Sequence, residues 1–403
     1  MSDSSIRALE NAEAKVPLRI GIDARVLMYD EIRGFTRYTL ELFRAMKEIA
    51  GPGIELYSFS PGPLAVTFQE VLGARPIICS VRREILWEQY ELPRQLRKHR
   101  IDVFHATANR GLPYRRTCKY VLTCHDIIEQ MVEYRARGSW RGQWRRKYAD
   151  FCSLHSANRL ITVSNYSKHD ICRVHNLPED RVRVIYNGVG REFFPVVPLA
   201  ERRRTAERYG LPPEYFLYLG GFDTRKNVGA LVDAVAQLPA ELPPLALIGE
   251  QTQDFAPVAA AIRARGLSAR VICPGQIPDV DLPAVYQGAL AFVYPSLYEG
   301  FGLPAVEAMA SGVAVLASGT TSLPEVLAGN GVLFDARNPA SIAAQMVRIY
   351  HDAGLRERLA VSGRARAEYF SWQTCATQTL DVYRELLGKD GWRAPTEDSK
   401  CRR

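Results

Sequence analysis

Residues 291–318 read AFVYPSLYEGFGLPAVEAMASGVAVLAS. The opening AFVYPS is short and apolar, the pattern of a buried strand. A turn, LYEGFG, follows. Pro304 suits the first turn of a helix and Gly312 its end. GVAVLAS then begins a second strand. Strand, helix and strand in this order build a parallel sheet covered on both faces.

The same alternation runs outward in both directions. LRIGIDAR (18–25) predicts a first buried strand, and TRYTLELFRAMKEIA (36–50) an amphipathic helix. IDVFHAT, YVLTCHD and RLITVS read as short strands that end in polar residues. The pattern restarts at YFLYLGG (215–221), followed by a helix from Asn227 whose Val228, Leu231, Val232, Val235 and Leu238 share one face. LALIG, RVICPG and GVLFD continue it. GVGREFFPVVP (188–198) reads as the linker. The fold class is therefore α/β, with two doubly wound Rossmann-like domains facing each other across a cleft. Ligands of such sheets sit outside the carboxyl ends of the strands, so the residues just after each strand are the candidates for function.

Three loops carry chemistry. In LYEGFG, Gly300 to Gly302 lead into a helix N-terminus, which favours anions. GFGLPA also fits the loose dinucleotide pattern G-x-G-x-x-A. Glu299 directly before it would repel a pyrophosphate, and GVAVLAS ends without an acidic residue for a ribose. That match is read as accidental. Glu307 lies in a helix that is otherwise apolar. An unpaired buried carboxylate costs several kcal/mol, so it either meets a buried cation or opens onto the cleft, where vicinal hydroxyls would bind it. In GGFDTRKN (220–227), Arg225 and Lys226 stand together at the start of the next helix, with Asn227 as its expected cap. Two cations there suit a diphosphate; a solvated pair is the alternative. Histidines follow two strands, in FHAT (His105) and TCHD (His125).

These segments have company. GGFDTRKN, VYPSLYEGFGLPAVEAMASG, SLPEV, ITVSNYSKHDI, VIYNGVGREFFP and YFSWQTCATQTLDVYREL together resemble the retaining nucleotide-sugar glycosyltransferases of family 4, with the GT-B fold. The likeness covers about Leu18 to Leu387 and is similar to that of bacterial mannosyltransferases of O-antigen or exopolysaccharide synthesis. It implies an acceptor-side domain over 1–192, a nucleotide-sugar domain over 193–375, and a helix in 376–403 that crosses back, followed by a polar tail.

The resemblance also implies roles. Glu299 would hold donor-sugar hydroxyls and, with His125, is the expected catalytic residue. Glu307 would hold the ribose, and Arg225 and Lys226 the diphosphate. The amides of Phe301, Gly302 and Leu303 would support sugar and phosphates. The base would lie beside Ile277, and Gly34 would approach the phosphates from the other domain. His105 is read as structural or acceptor-side. Transfer would retain configuration without a metal or cofactor, from a donor such as GDP-mannose or a UDP-sugar, to a saccharide or lipid-linked saccharide. Two departures stand out. Phe222 occupies the region where many members carry an arginine, so Arg225 is expected to substitute. The usual G-I-G-R-Y loop reads GFTRY here, with Thr36 for a glycine. An epimerase on the same fold and a non-catalytic sugar-binding protein are the rival readings.

Charge adds a partner. Of the net +8, residues 1–195 carry +9, from 31 Lys or Arg against 22 Asp or Glu, and the remainder −1. YRARGSWRGQWRRKY mixes arginine with tryptophan and tyrosine. It is read either as a solvated face or as a surface for anionic lipid head groups, with Trp140 and Trp144 at the interface. No recognised nucleic-acid motif appears. The eight scattered cysteines, the polar N-terminus and the lack of any run of about 18 apolar residues lead to an expectation of a reduced cytoplasmic protein.

Overall fold

The structure, a computed structural model, describes residues 17–28, 34–51, 53–65, 68, 74–81, 83–128 and 140–388; of residues 140–147 it describes the main chain only. Two sheets organise the chain. The first holds β1 (Leu18–Asp23), β2 (Ile54–Ser60), β3 (Arg75–Ile78), β4 (Val103–Ala106), β5 (Lys119–Thr123), β6 (Arg159–Thr162) and β7 (Val182–Val184), ordered 3-2-1-4-5-6-7. The second holds β8 (Phe216–Leu219), β9 (Leu245–Ile248), β10 (Val271–Gly275), β11 (Ala291–Tyr294), β12 (Val315–Ser318) and β13 (Val332–Phe334), ordered 10-9-8-11-12-13.

Every described pairing in both sheets is parallel. Strand order reverses between β1 and β4, and again between β8 and β11. Each reversal opens a crevice at the strand ends, where a doubly wound sheet takes its ligand. The helices that matter below are α1 (Gly34–Ile49), α2 (Trp140–Ser156), α3 (Asn165–His175), α4 (Val228–Val235), α5 (Leu303–Ala310), α6 (Leu323–Leu327) and α7 (Trp372–Leu387).

Alternating side chains of the first sheet feed two apolar layers. Ile20, Ile22, Val103 and Val121 pack with Leu42 and Phe43 of α1. Phe59, Phe104, Tyr120 and Leu160 form the opposite layer. The last helix, α7, belongs to the first domain: Trp372, Cys375, Leu380 and Tyr383 join the α1 layer. Ser371 starts it as a cap, accepting the Thr374 N–H at 3.1 Å. The expected face of α4 is buried in the second core with the strands around it. The expected cap is not formed. Asn227 is left-handed (φ 56°), and its amide donates instead to the carbonyls of Pro295 (3.2 Å) and Ala336 (2.7 Å), tying three loops together.

Candidate active site

The switch point of the second sheet brings together the loops after β8 and β11. Arg225 and Lys226 lie in a single 3₁₀ turn, Thr224–Lys226. The Leu297 N–H donates to the Arg225 carbonyl at 2.8 Å, so the loops are fixed to each other through the main chain.

Glu299 is the centre of that junction. Its Oε1 accepts from Lys226 Nζ at 2.6 Å, from Tyr294 OH at 2.9 Å and from the Ser296 hydroxyl. Its Oε2 faces Arg225 Nη1 at 3.5 Å, and Arg225 Nε also pairs with Asp223 at 3.1 Å. Burial would raise the Glu299 carboxyl, but Lys226 and Arg225 outweigh it and hold the group down to about 2. Burial pulls the Lys226 ammonium down, with Glu299 opposing. Glu299, which the resemblance gives to the sugar, and Arg225 and Lys226, which it gives to the diphosphate, therefore form one ion cluster, buried at Lys226 and Glu299 and half-buried at Arg225. Neither cation is a solvated surface charge.

Gly302 turns the chain into α5. Its φ of 101° suits glycine, and a Cβ there would meet Leu323 Cδ2 at 2.7 Å. Leu303 and Pro304 form the first turn of α5; Pro304 has no N–H, and the Ala305 and Val306 N–H groups donate to the Gly302 carbonyl at 3.0 and 3.4 Å. Phe301 directs its ring into the core, against Phe370 (5.3 Å between centroids) and Tyr186 (6.1 Å). Ile277 is buried in the same core, beyond the end of β10.

Glu307, one turn into α5, takes the first of its two alternatives: it meets a buried cation. That cation is Arg37 of α1, on the other domain. Arg37 Nη1 donates to Glu307 Oε1 at 3.1 Å, and Nη2 pairs with Asp279. Tyr286 OH donates to Glu307 Oε2 at 3.0 Å. Burial raises the Glu307 carboxyl, and Arg37 counters it. The expectation of metal-free transfer supposes that the chain lacks an Asp-x-Asp triplet, the spacing of metal–diphosphate anchors; that premise is corrected here, since Asp279 and Asp281 form one. Its second carboxylate accepts from Arg208 at 3.1 Å and from Tyr209 OH. Both members are thus paired with cations.

The first domain supplies His125 just after β5. Its Nε2–H donates to the Thr107 carbonyl at 2.8 Å, which leaves Nδ1 as the basic nitrogen. Phe35 and Tyr38 of α1 pack on the ring at 4.9 and 4.6 Å. Burial lowers the imidazole to about 4, so it is neutral near pH 7. Gly34 opens α1, with open space where a Cβ would stand. His105 is fully enclosed, bonded to Tyr383 OH at 2.6 Å and Thr123 Oγ1 at 2.7 Å, and so takes the structural alternative.

The two halves meet at a close seam. Ser167 Oγ reaches both the His125 carbonyl (3.0 Å) and the Gly300 carbonyl (3.3 Å). Tyr298 OH donates to Asp170 of α3 at 2.8 Å. Glu325 of α6 accepts the Asn165 and Tyr166 N–H groups at 2.8 and 3.2 Å, placing a carboxylate at the α3 N-terminus. The main chain of His125 and the loop that carries Glu299 therefore lie on opposite sides of one seam.

This arrangement has relatives. The family "Glycosyl transferases group 1" matches residues 201–366, and "Glycosyltransferase Family 4" matches residues 32–193. The O-antigen chain mannosyltransferase B of Escherichia coli is 35% identical over 316 residues, covering 76% of this chain and 81% of that protein. The chain belongs to this glycosyltransferase family. The E. coli serotype-specific mannosyltransferase WbdA is 32% identical over 67% of this chain, a match that spans 34% of that longer protein. Among solved structures, Anabaena HepE with UDP-glucose superposes at a TM-score of 0.76, with 18% identity, over 91% of this chain and all of that one (100%). A Rickettsia africae glycosyltransferase superposes at 0.75 with 18% identity, over 92% of this chain and 99% of that one. The GT-B fold and the glycosyltransferase class are thereby shown.

Several residues that contact the candidate site escape sequence reading: Arg37, Asp279, Tyr286, Tyr294, Ser296 and Glu325. Tyr294 and Ser296 bracket the end of the AFVYPS strand, where a sheet points its ligand contacts. The rest become neighbours only through the tertiary fold.

Proposed function

We propose that this glycosyltransferase moves mannose from GDP-mannose to a saccharide or lipid-linked saccharide acceptor in cell-surface polysaccharide synthesis, with retention of anomeric configuration and without a metal. The carrying observation is the Arg225–Lys226–Glu299 cluster just ahead of α5, at the loop whose Gly300 meets the His125 main chain. The mannosyltransferase names of the relatives support the sugar.

The donor diphosphate binds Arg225, Lys226 and the α5 N-terminus, and these fixed positive ends stabilise it as it leaves. On this reading Glu299 exchanges part of its ion-pairing for the sugar hydroxyls. Glu307 holds the ribose, and the base lies beside Ile277. The amides of Phe301, Gly302 and Leu303 support sugar and phosphates, and Gly34 approaches from the other domain. His125, neutral and fixed by Thr107, meets the sugar beside the reacting carbon. A leaving-phosphate oxygen takes the acceptor's proton on the same face of the sugar. The seam excludes water, which protects the activated sugar from hydrolysis.

The acceptor lies on the first domain, and its carrier brings the enzyme to the cytoplasmic face of a membrane. No helix among the described residues is long and apolar enough to cross one. Exposed Tyr148 and Phe151 on α2 extend the basic stretch that precedes them. The side chains of Trp140, Arg141, Trp144, Arg145, Arg146 and Lys147 lie outside the described residues.

The decisive experiment presents GDP-mannose and a panel of UDP-sugars, with excess EDTA, to the enzyme and a lipid-linked oligosaccharide. Transfer of α-mannose from GDP-mannose is expected. Preference for a UDP-sugar overturns the donor, a β-product overturns retention, and activity restored only by magnesium or manganese overturns the metal-free mechanism.

A further inference from the structure

The Glu307 site reaches across both domains. Its cation arrives on α1, from a position 270 residues away in sequence. The guanidinium is divided: one nitrogen serves Glu307, the other Asp279. The planar guanidinium thus holds two carboxylates at once from one side chain.

The geometry points to Arg37 as a positioning residue of the donor site, a cross-domain cation that fixes the Glu307 carboxylate for the hydroxyls of a nucleotide ribose. The inference rests on the reading of Glu307 as the ribose ligand. The lone pairs allow it. Glu307 Oε1 takes one bond from Arg37 and Oε2 one from Tyr286, so each oxygen keeps a second acceptor site for one of two vicinal hydroxyls. Arg37 therefore need not leave when the nucleotide enters.

Charge makes the cation necessary. The groups facing Glu307 are Tyr286 from the helix Leu282–Gly288, Asp279 from the turn Asp279–Asp281, Glu192 from the turn Arg191–Phe193, and Arg37 from α1. Among these described neighbours two are acidic and Arg37 is the cation. Burial and both acids favour a protonated Glu307, and Arg37 opposes them. A neutral carboxyl is a poorer acceptor for hydroxyl donors than a carboxylate. Arg37 also carries the helix that Gly34 opens and that packs on His125, so one side chain joins the nucleotide site to the wall of the reacting sugar.

The test is calorimetry with GDP and UDP and with their 2′-deoxy forms, from about pH 5.5 to about pH 8, above the range of an ordinary carboxyl. The parent enzyme is expected to prefer the ribose form by about tenfold or more, the yield of a hydrogen bond to a charged group. In Arg37→Met that ratio collapses, and the loss is greatest at the acid end, because Glu307 now protonates at higher pH. Arg37→Lys restores the charge and with it the pH profile. If Arg37→Met does not fold, Arg37→Gln takes its place in the comparison with Arg37→Lys. Arg37→Met or Arg37→Gln with the parent ratio at every pH overturns the inference, as does tighter nucleotide binding, which a simple latch would give. Glu307→Gln separates the two levels. If it keeps the parent ratio, the ribose assignment itself fails; if it loses the ratio while the neutral Arg37 variant keeps it, only the role of Arg37 fails.

Discussion

Gly300 lies so close to the main chain of His125 that a Cβ on it would stand 2.5 Å from the His125 carbonyl oxygen. The obstacle is backbone, which cannot rotate away. The two walls of the cleft touch here, one residue from Glu299 on one side and at His125 itself on the other. Gly300→Ala must push them apart. It is expected to destabilise the protein by about 1–3 kcal/mol, the range for overpacking, and to lower kcat by more than it raises the KM for the donor. Thermal unfolding and steady-state kinetics measure both. Parent activity in Gly300→Ala would mean that the seam is open during catalysis.

Lys226 carries a different kind of constraint. Its ammonium is buried against Glu299 and Tyr294, and its removal leaves a buried carboxylate with Arg225 at 3.5 Å as its remaining ion-pair partner. Lys226→Met is expected to cost about 3–5 kcal/mol and to weaken GDP or UDP binding. Adding Glu299→Gln removes the orphaned charge, so the double variant should regain part of the stability without regaining turnover. Urea denaturation and calorimetry of the two single variants and the double variant test this. Additive losses would show that the two side chains are not coupled.

The fold was legible because parallel strands buried on both faces leave apolar runs such as AFVYPS and RLITVS between helical segments. The positions of the C-domain motifs were legible too, since GGFDTRKN and LYEGFG each follow a strand, and the reversal of strand order between β8 and β11 sets them side by side. What each side chain touches was less so. Glu307 announced a partner but not which one, since nothing local in GFTRY marks Arg37 as that cation. Asn227 looked like a cap from its position, yet its left-handed backbone sends the amide to Pro295 and Ala336. The Tyr383–His105 bond depends on α7 returning to the first domain, which periodicity alone does not specify.

The buried histidines predict an acid sensitivity whose sign follows from their surroundings. Burial lowers His125 from 6.5 to about 4 and His105 from 6.5 to about 3, the latter assisted by the nearby His125. Both are neutral in the native state. As pH falls below 6.5 the unfolded chain takes up protons that the folded chain does not, so stability drops until the folded values are reached. Between about pH 7 and about pH 5 each contributes a loss of about 2 kcal/mol, before most carboxylates titrate. Urea denaturation at the two pH values should show this loss, and His125→Gln should reduce it. A flat stability profile in the parent protein would mean that the histidines are protonated, and hence solvated, in the native state.

The charge asymmetry predicts a contact with anionic membranes. The first 195 residues hold the whole positive excess, +9, and the helix α2 begins within its densest stretch. Tyr148 and Phe151, 64% and 53% exposed, lie further along that helix and add apolar area. Each Lys or Arg near an anionic surface contributes about 1 kcal/mol, screened within roughly 8–10 Å at physiological salt. Arg141, Arg145, Arg146 and Lys147, with Trp140 and Trp144, are the residues the sequence offers for a reversible attachment. Vesicle co-sedimentation should therefore show binding to phosphatidylglycerol-rich vesicles that falls steeply with added salt. Replacing the four basic residues with Gln should weaken it further while leaving nucleotide affinity unchanged, because none of the four is among the residues proposed to hold the donor. If the parent protein ignores anionic vesicles at low salt, α2 presents a solvated face and the acceptor reaches the enzyme in solution.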